Sequence, residues 1–260
     1  MLKQRVLTAF IGIAVIAGMA ALGPLSWKIF VYLGSLVGVS EFVTMSGFRW
    51  FSFLAWWAYA IVTVMLWRTG WASPIGVYVI AVSALVIPVL VRNHVSFRET
   101  GAILVGTLYL GVGAVSLSNL RQVGDGWTWL VVYVLTIWAT DTAAYFGGRW
   151  LHGPKLWPTI SPNKTISGAL IGLIGGTAVT LVIGGLLLEH FGHWPQLLWL
   201  GLMTSFAGQV GDLVESAYKR ATGTKDSGKL LPGHGGILDR VDSLLFAAPF
   251  ALYLIESLHP

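Results

Sequence analysis

The sequence predicts an all-α, polytopic integral membrane protein with about nine transmembrane helices. Three observations point there. First, only 10% of the 260 residues are charged and 55% are hydrophobic, whereas soluble domains carry about 25% charged residues; most side chains therefore do not face water. Second, the apolar residues fall into long runs near the length of about 20 residues that a membrane helix needs. Third, the basic residues sit in the connections between those runs, and mainly in alternate ones.

The first run, 6–26, comes after "MLKQR". A charged start before an apolar run resembles a signal peptide. No A-x-A-like cleavage site followed by a soluble polar chain is present, so a first span is the reading adopted. Runs 29–46 and 50–66 are short and closely spaced, which leaves room for one re-entrant segment. Runs 74–91, 101–119 and 127–147 come next. The seventh, 165–188, carries Gly168, Gly172 and Gly176 at four-residue spacing, a pattern that lets helix backbones approach; it is read as helix packing. The eighth and ninth are 196–214 and 241–258, and the longest polar connection is 215–240. Trp27, Trp50, Trp127 and Trp129 lie near run ends and are read as interfacial anchors. Residues 1–120 form an N-terminal set of helices, and 121–260 a C-terminal region that holds the chemistry.

With nine spans, the N-terminus shares a side with every second connection. That side holds Lys3, Arg5, Arg49, Arg92, Arg98, Arg149, Lys155, Lys164, Lys219, Arg220, Lys225, Lys229 and Arg240. The other holds Lys28, Arg68 and Arg121. Positive residues stay in the cytoplasm, so the N-terminus and the polar loops are expected there, in a cell inner (plasma) membrane. The net charge of +5 is read as topology and anion handling; no continuous basic tract suggests nucleic acid. There is no cysteine, which excludes disulfides and thiolate metal sites.

Charges within spans are costly and are functional candidates. Glu41 has no partner nearby in the sequence, and a structural ion pair or hydrogen bond is the reading favoured for it. Asp141 lies one turn before Tyr145 and shares its face. Glu256 is read as solvated at the interface. Asp212 stands apart because other polar residues succeed it at helical spacing. "GDLVESAYKR" places Asp212, Glu215, Ser216 and Lys219 at spacings of three and four, one polar stripe on a helix. The next loop adds Lys225, Asp226 and Lys229, and the ninth run opens with Asp239 and Asp242, again three apart. Carboxylates suit a hard divalent ion shared with substrate phosphates. Cations and glycine-rich backbone suit phosphate oxygens, and Gly235 and Gly236 in "PGHGG" allow close main-chain approach. Asp239 lies near a helix N-terminus, which favours anions.

"GTKDSGK", Gly223 to Lys229, fits the first part of a P-loop. Leu230 stands where Ser or Thr belongs, and a span precedes the segment in place of a strand, so a P-loop is rejected. "SPNKTISG", Ser161 to Gly168, opens the seventh run on the same side. Ser161, Lys164 and Thr165 are candidate phosphate contacts at a helix N-terminus, with Arg149, His152 and Lys155 adding positive potential. His190, His193 and His259 fall on the opposite side and are read as interfacial.

"SAYKRATGTKDSGKLLPGHGGILDRVD", Ser216 to Asp242, resembles the signature of the phosphatidate cytidylyltransferase (CDP-diacylglycerol synthase) family: Ser-x-x-Lys-Arg, four residues, Lys-Asp, then His-Gly-Gly-x-x-Asp-Arg-x-Asp, without gaps. The likeness extends to Asp141–Arg149 and the Ser-Pro-x-Lys-Thr segment, roughly residues 136–243. The first half agrees only in being hydrophobic and helical. One departure is Ser167, where many members carry an acid.

The resemblance implies that CTP and phosphatidic acid give CDP-diacylglycerol and pyrophosphate in a polar, cytoplasm-facing active-site cavity, with Mg2+ and a second cation left open. It implies Asp212 and Asp239 as the main metal ligands, with Asp242 and Glu215 direct or behind them. Lys219, Arg220, Lys225 and Arg240 would hold phosphates, and Lys164 and Thr165 would contribute from the other loop. Asp226 stands with the catalytic set. Asp141, Ser161, Ser216, His234, Gly235 and Gly236 are assigned to substrate binding. Membrane lipids and a second copy of the chain are the other partners expected. Two alternatives remain: a related transferase acting on another lipid phosphate, and an ion-coupled transporter, whose buried acids would be spread over inverted repeats.

Overall fold

The computed structural model describes residues 2–188, 194–230 and 235–258, with side chains from residue 10 to 257 in those ranges. Among them are nine helices and one hairpin: α1 Leu2–Ala21, α2 Pro24–Met45, α3 Phe53–Trp67, α4 Pro74–Leu90, α5 Phe97–Leu120, α6 Gly126–Leu151, β1 Lys155–Trp157, β2 Ser161–Thr165, α7 Ile166–Leu187, α8 Trp194–Ala221 and α9 Leu238–Leu258. The helices fall on the nine apolar runs. Five of them, α2, α5, α6, α7 and α8, are long and apolar enough to cross a membrane, which makes this a multi-pass membrane protein. Helices α3 and α4 have only 15 and 17 residues.

Helix starts carry local signals. Pro24 and Pro74 open α2 and α4, where a missing N–H costs nothing. Ser52 and Ser73 cap α3 and α4 by accepting from Ala55 and Gly76 N–H. At α5, Glu99 N–H donates to Ser96 Oγ while Ser96 N–H donates to Glu99 Oε2, a reciprocal capping box. Helices α6 and α8 run past the expected ends at 147 and 214, to Leu151 and Ala221. Hydropathy stops at a charge, but backbone hydrogen bonding continues when that charge finds a partner.

The C-terminal helices pack closely because α7 has glycines where α6 passes. A Cβ on Gly168 would lie 2.7 Å from Ala144 O, and one on Gly172 2.8 Å from Ala144 Cβ. A Cβ on Gly176 would collide with Thr140 Oγ1 and Ser205 Oγ. The stripe thus has the packing role expected of it. Thr136 bonds Thr180 at 2.6 Å and Thr140 donates to Ser205 at 2.9 Å, so buried hydroxyls tie α6, α7 and α8. Helix α9 packs against α5 and α8; Tyr109 donates to Asp242 O and Tyr133 to Leu244 O, clamping its first turns.

Two tryptophans differ from expectation. Trp50 and Trp127 are exposed, as anchors should be, but Trp27 and Trp129 are buried. Trp27 Nε1 donates to Leu117 O at 2.9 Å, so its polar handle is satisfied by α5 and not by the membrane interface. The β1–β2 hairpin has no counterpart in the expected elements. It is antiparallel, pairs Lys155 with Thr165 and Trp157 with Ser161, and folds the α6–α7 connection back toward α8.

Candidate active site

A cavity of about 1040 Å³ lies among α6, the hairpin, α7, α8 and α9, at the upper end of the roughly 300–1000 Å³ usual for ligand pockets. Its walls carry the carboxylates of Asp141, Asp212, Glu215, Asp226, Asp239 and Asp242. Facing them are Arg149, Lys155, Lys164, Lys219 and Arg240, with His152 nearby. Apolar Ile137, Trp138, Leu156 and Leu244 complete part of the wall.

Helix geometry accounts for the stripe on α8. Asp212, Glu215 and Lys219 lie on one face, and Lys219 Nζ sits 2.5 Å from Glu215 Oε2 one turn back. The same Nζ lies 2.7 Å from Asp239 Oδ1, so one ammonium joins α8 to α9. Lys164, on β2, reaches Asp212 Oδ2 at 2.5 Å, and Ser216 donates to Asp212 Oδ1 at 3.3 Å. Glu215 Oε1 is buried and has no hydrogen-bond partner among the described residues. Asp242 is buried, and its Oδ1 accepts from Ser243 N–H at 2.7 Å.

Asp239, ahead of the apolar run of α9, is the most heavily bonded carboxylate. Its Oδ2 accepts from Ser227 N–H at 2.8 Å, Ser227 Oγ at 2.9 Å and Gly236 N–H at 2.9 Å. Burial pushes its pKa up, but the Lys219 ammonium and the N–H groups of Gly236 and Ser227 outweigh this and hold it at about 2. Since a carboxylate offers about four lone-pair sites, Oδ1, bound among the described residues by Lys219, keeps one direction open among them.

The structure brings together most of the residues singled out from sequence. Asp141, Lys164, Thr165, Asp212, Lys219, Asp226, Asp239, Arg240 and Asp242 all line the cavity. Thr165 also caps α7, accepting from Gly168 N–H at 3.1 Å. Ser216 acts on Asp212 from behind. Arg220 is exposed and donates to Ile160 O at 3.3 Å, tying α8 to the hairpin. Ser161 belongs to β2 and Lys225 is exposed; neither lines the cavity. Gly235 has φ of 82°, a region that favours glycine, and Gly236 has no room for a side chain beside Ser227 and Glu41. His234 lies outside the described residues, as do His190, His193 and His259.

Two positions escape a reading of the sequence. Gln209, one turn before Asp212, lines the cavity and donates to Ala169 O; a polar residue in an apolar run, at helical spacing from an acid, is the available signal. Ser227 is buried between two carboxylates, and nothing in its sequence neighbourhood marks it. Glu41 has the hydrogen bonding expected of a charge in an apolar run, but its partners, Ser227, Ile237 and Leu238, lie almost two hundred positions away.

Comparison with known proteins gives the site a context. The chain matches the model of the cytidylyltransferase family over residues 3–258. It is 37% identical over 260 residues to a phosphatidate cytidylyltransferase of Staphylococcus haemolyticus, covering 98% of this chain and 99% of that protein. A phosphatidate cytidylyltransferase of Staphylococcus epidermidis is 36% identical over the same shares of the two chains. One of Staphylococcus aureus is 36% identical over 267 residues, covering 98% of this chain and all of that one. The similarity thus extends through the N-terminal helices, well beyond the segment in which the sequence alone showed a likeness.

Proposed function

The chain belongs to the cytidylyltransferase family, and we propose that it is a phosphatidate cytidylyltransferase, a nucleotidyltransferase that converts CTP and phosphatidic acid to CDP-diacylglycerol and pyrophosphate in phospholipid synthesis. One observation carries the reading: the acids of α6, α8 and α9 and the cations of β2, α8 and α9 converge on one cavity large enough for a nucleotide and a lipid headgroup.

An oxygen of the lipid phosphate bonds to the α-phosphorus of CTP. The bond from that phosphorus to the bridging oxygen of the β-phosphate breaks, and pyrophosphate leaves with the electron pair. The nucleophile is already an anion at neutral pH, so little general-base work is needed. The work lies in bringing two polyanions together. Lys164, Lys219 and Arg240 offset that repulsion in a preorganised setting; Arg149 and Lys155 extend the positive field to the hairpin.

The donor set suits magnesium. Hard carboxylate oxygens of Asp212 and Asp242 line the cavity, and buried Glu215 Oε1 lacks a hydrogen-bond partner among the described residues. No three His, Asp or Glu side chains among the described residues close into a metal cage. An ion there would draw on phosphate oxygens and water for the rest of its coordination. Asp212 and Asp242 are the ligands proposed here; Asp239, which the resemblance also pointed to, is bound by Lys219 and by the N–H groups of Ser227 and Gly236. Such an ion supplies charge neutralisation and orientation of the transferring group.

The proposed setting is the inner membrane with the cavity facing the cytoplasm, where CTP arrives; the alternation of basic residues supports this. The transporter alternative requires acids spread along a path through the membrane. Here they gather in one cavity, from the second halves of α6 and α8 and the first turns of α9. The test is to incubate purified protein with labelled CTP and a panel of lipid phosphates. Equal amounts of CDP-diacylglycerol and pyrophosphate are expected from phosphatidic acid. No CDP-lipid from any lipid phosphate, together with ion or solute uptake in vesicles, would overturn the enzyme reading.

A further inference from the structure

We infer that Glu41, on α2, is a positioning residue for this reaction: it holds Ser227, Gly236 and the start of α9 so that Asp239 meets Lys219 at the cavity wall. The inference rests on the cytidylyltransferase reading of the site.

Glu41 is a buried carboxylate in an apolar helix. No lysine or arginine pairs with it among the described residues. Such a group needs hydrogen bonds to offset its lost hydration, and the signature segment supplies them. Ile237 N–H donates to Oε1 at 3.0 Å and Leu238 N–H to Oε2 at 2.9 Å. These N–H groups open α9, where the first turn has no intrahelical acceptors and the helix dipole favours an anion. Position 237 is an isoleucine, with no side-chain oxygen to cap the helix itself. Glu41 therefore caps α9 from a distant helix.

The link to the site runs through Ser227. Its Oγ lies 3.1 Å from Glu41 Oε2 and 2.9 Å from Asp239 Oδ2, and it accepts from Asp239 N–H at 3.2 Å. Asp239 then reaches Lys219 through its other oxygen. Packing closes the arrangement: a Cβ on Gly228 would lie 2.5 Å from Glu41 Oε1, and one on Gly236 2.5 Å from Oε2. Two glycines of the signature segment are thus explained by an acid in the N-terminal half. Glu41 does not line the cavity, so it acts through these neighbours.

The test uses the full chain in nanodiscs. Glu41→Gln keeps the size but turns an NH2 toward donors on one side. Its kcat is expected to fall about tenfold or more, the scale of one lost charge-assisted contact, while KM for CTP changes by less than about threefold. Ser227→Ala should do the same, and the double variant should be no worse than the weaker single one, because coupled sites are not additive. Limited trypsin digestion gives a readout free of activity. Cleavage after Lys225 and Lys229 should accelerate in Glu41→Gln, while cleavage after Arg98 should not; Ser35→Ala, a buried change elsewhere on α2, should leave both unchanged. Wild-type kcat in folded Glu41→Gln, strictly additive losses, or equal acceleration at every trypsin site would each overturn the inference. Should Glu41→Gln fail to fold, wild-type kcat in Ser227→Ala overturns it instead. A wild-type protein that makes no CDP-lipid sinks the functional reading, while the digestion pattern still reports on the anchor.

Discussion

Lys164 Nζ lies 2.5 Å from Asp212 Oδ2, which joins the hairpin after α6 to the polar stripe of α8. The pair is partly open to solvent, so its worth to stability is small. Its proposed importance is positional: an ammonium and a carboxylate, each suited in the proposed reaction to a phosphate or its metal, are held in one place before substrate arrives.

Asp212→Asn keeps the shape and removes the charge. Losing a charge-assisted contact of about 1.5–3 kcal/mol corresponds to roughly tenfold to over a hundredfold in rate. The expected result is a kcat/KM reduced by at least that range in protein that still elutes as a single folded species. Near-normal turnover at ordinary magnesium would remove Asp212 from the chemistry.

Lys219 bridges Glu215 and Asp239. Lys219→Met leaves both buried acids without their cation, and breaking a buried pair costs about 3–5 kcal/mol. A clear drop in Tm in detergent is expected along with lost turnover. An unchanged Tm would mean that water or another cation takes over the two carboxylates.

Chelation tests the proposed metal. EDTA should stop CDP-lipid formation and added Mg2+ should restore it. Asp242→Asn should shift the magnesium dependence to higher concentration at fixed CTP. Full activity in EDTA-treated, metal-free protein would exclude the ion from the reaction.

Gly176→Ala tests the packing of α7. The added methyl meets Thr140 Oγ1 and Ser205 Oγ, and overpacking of this kind costs about 1–3 kcal/mol. Gly12→Ala, with nothing within 4 Å of its Cβ, serves as the reference and should be neutral or slightly stabilising in thermal unfolding. Equal Tm values for the two variants would refute the close approach.

Orientation is tested with a reporter fused at the C-terminus, which should behave as extracytoplasmic, while one placed in the 215–240 connection should behave as cytoplasmic. A cytoplasmic C-terminus would mean that an even number of the nine helices cross.

The all-α class, the nine helices and the polar segment at 212–242 were legible in the sequence because each depends on residues close together in the chain. Apolar runs report burial, and charges three and four apart report a helix face. The resemblance over 136–243 pointed to the chemistry by the same local means. Helix ends were less legible, because a charge ends a hydropathy window whether or not it has a partner; Lys219 and Asp212 found theirs, so α8 continues. Trp27 resembles an anchor until α5 supplies Leu117 O. The partners of Glu41 and Ser227, and the pairing of Lys164 with Asp212, were decided only by tertiary structure. A carboxylate's role depends on which donors reach its oxygens, and those of Glu41 come from residues 227, 237 and 238. Hydrogen bonds act over about 3 Å, so only the folding of α2 against α9 brings these groups within range.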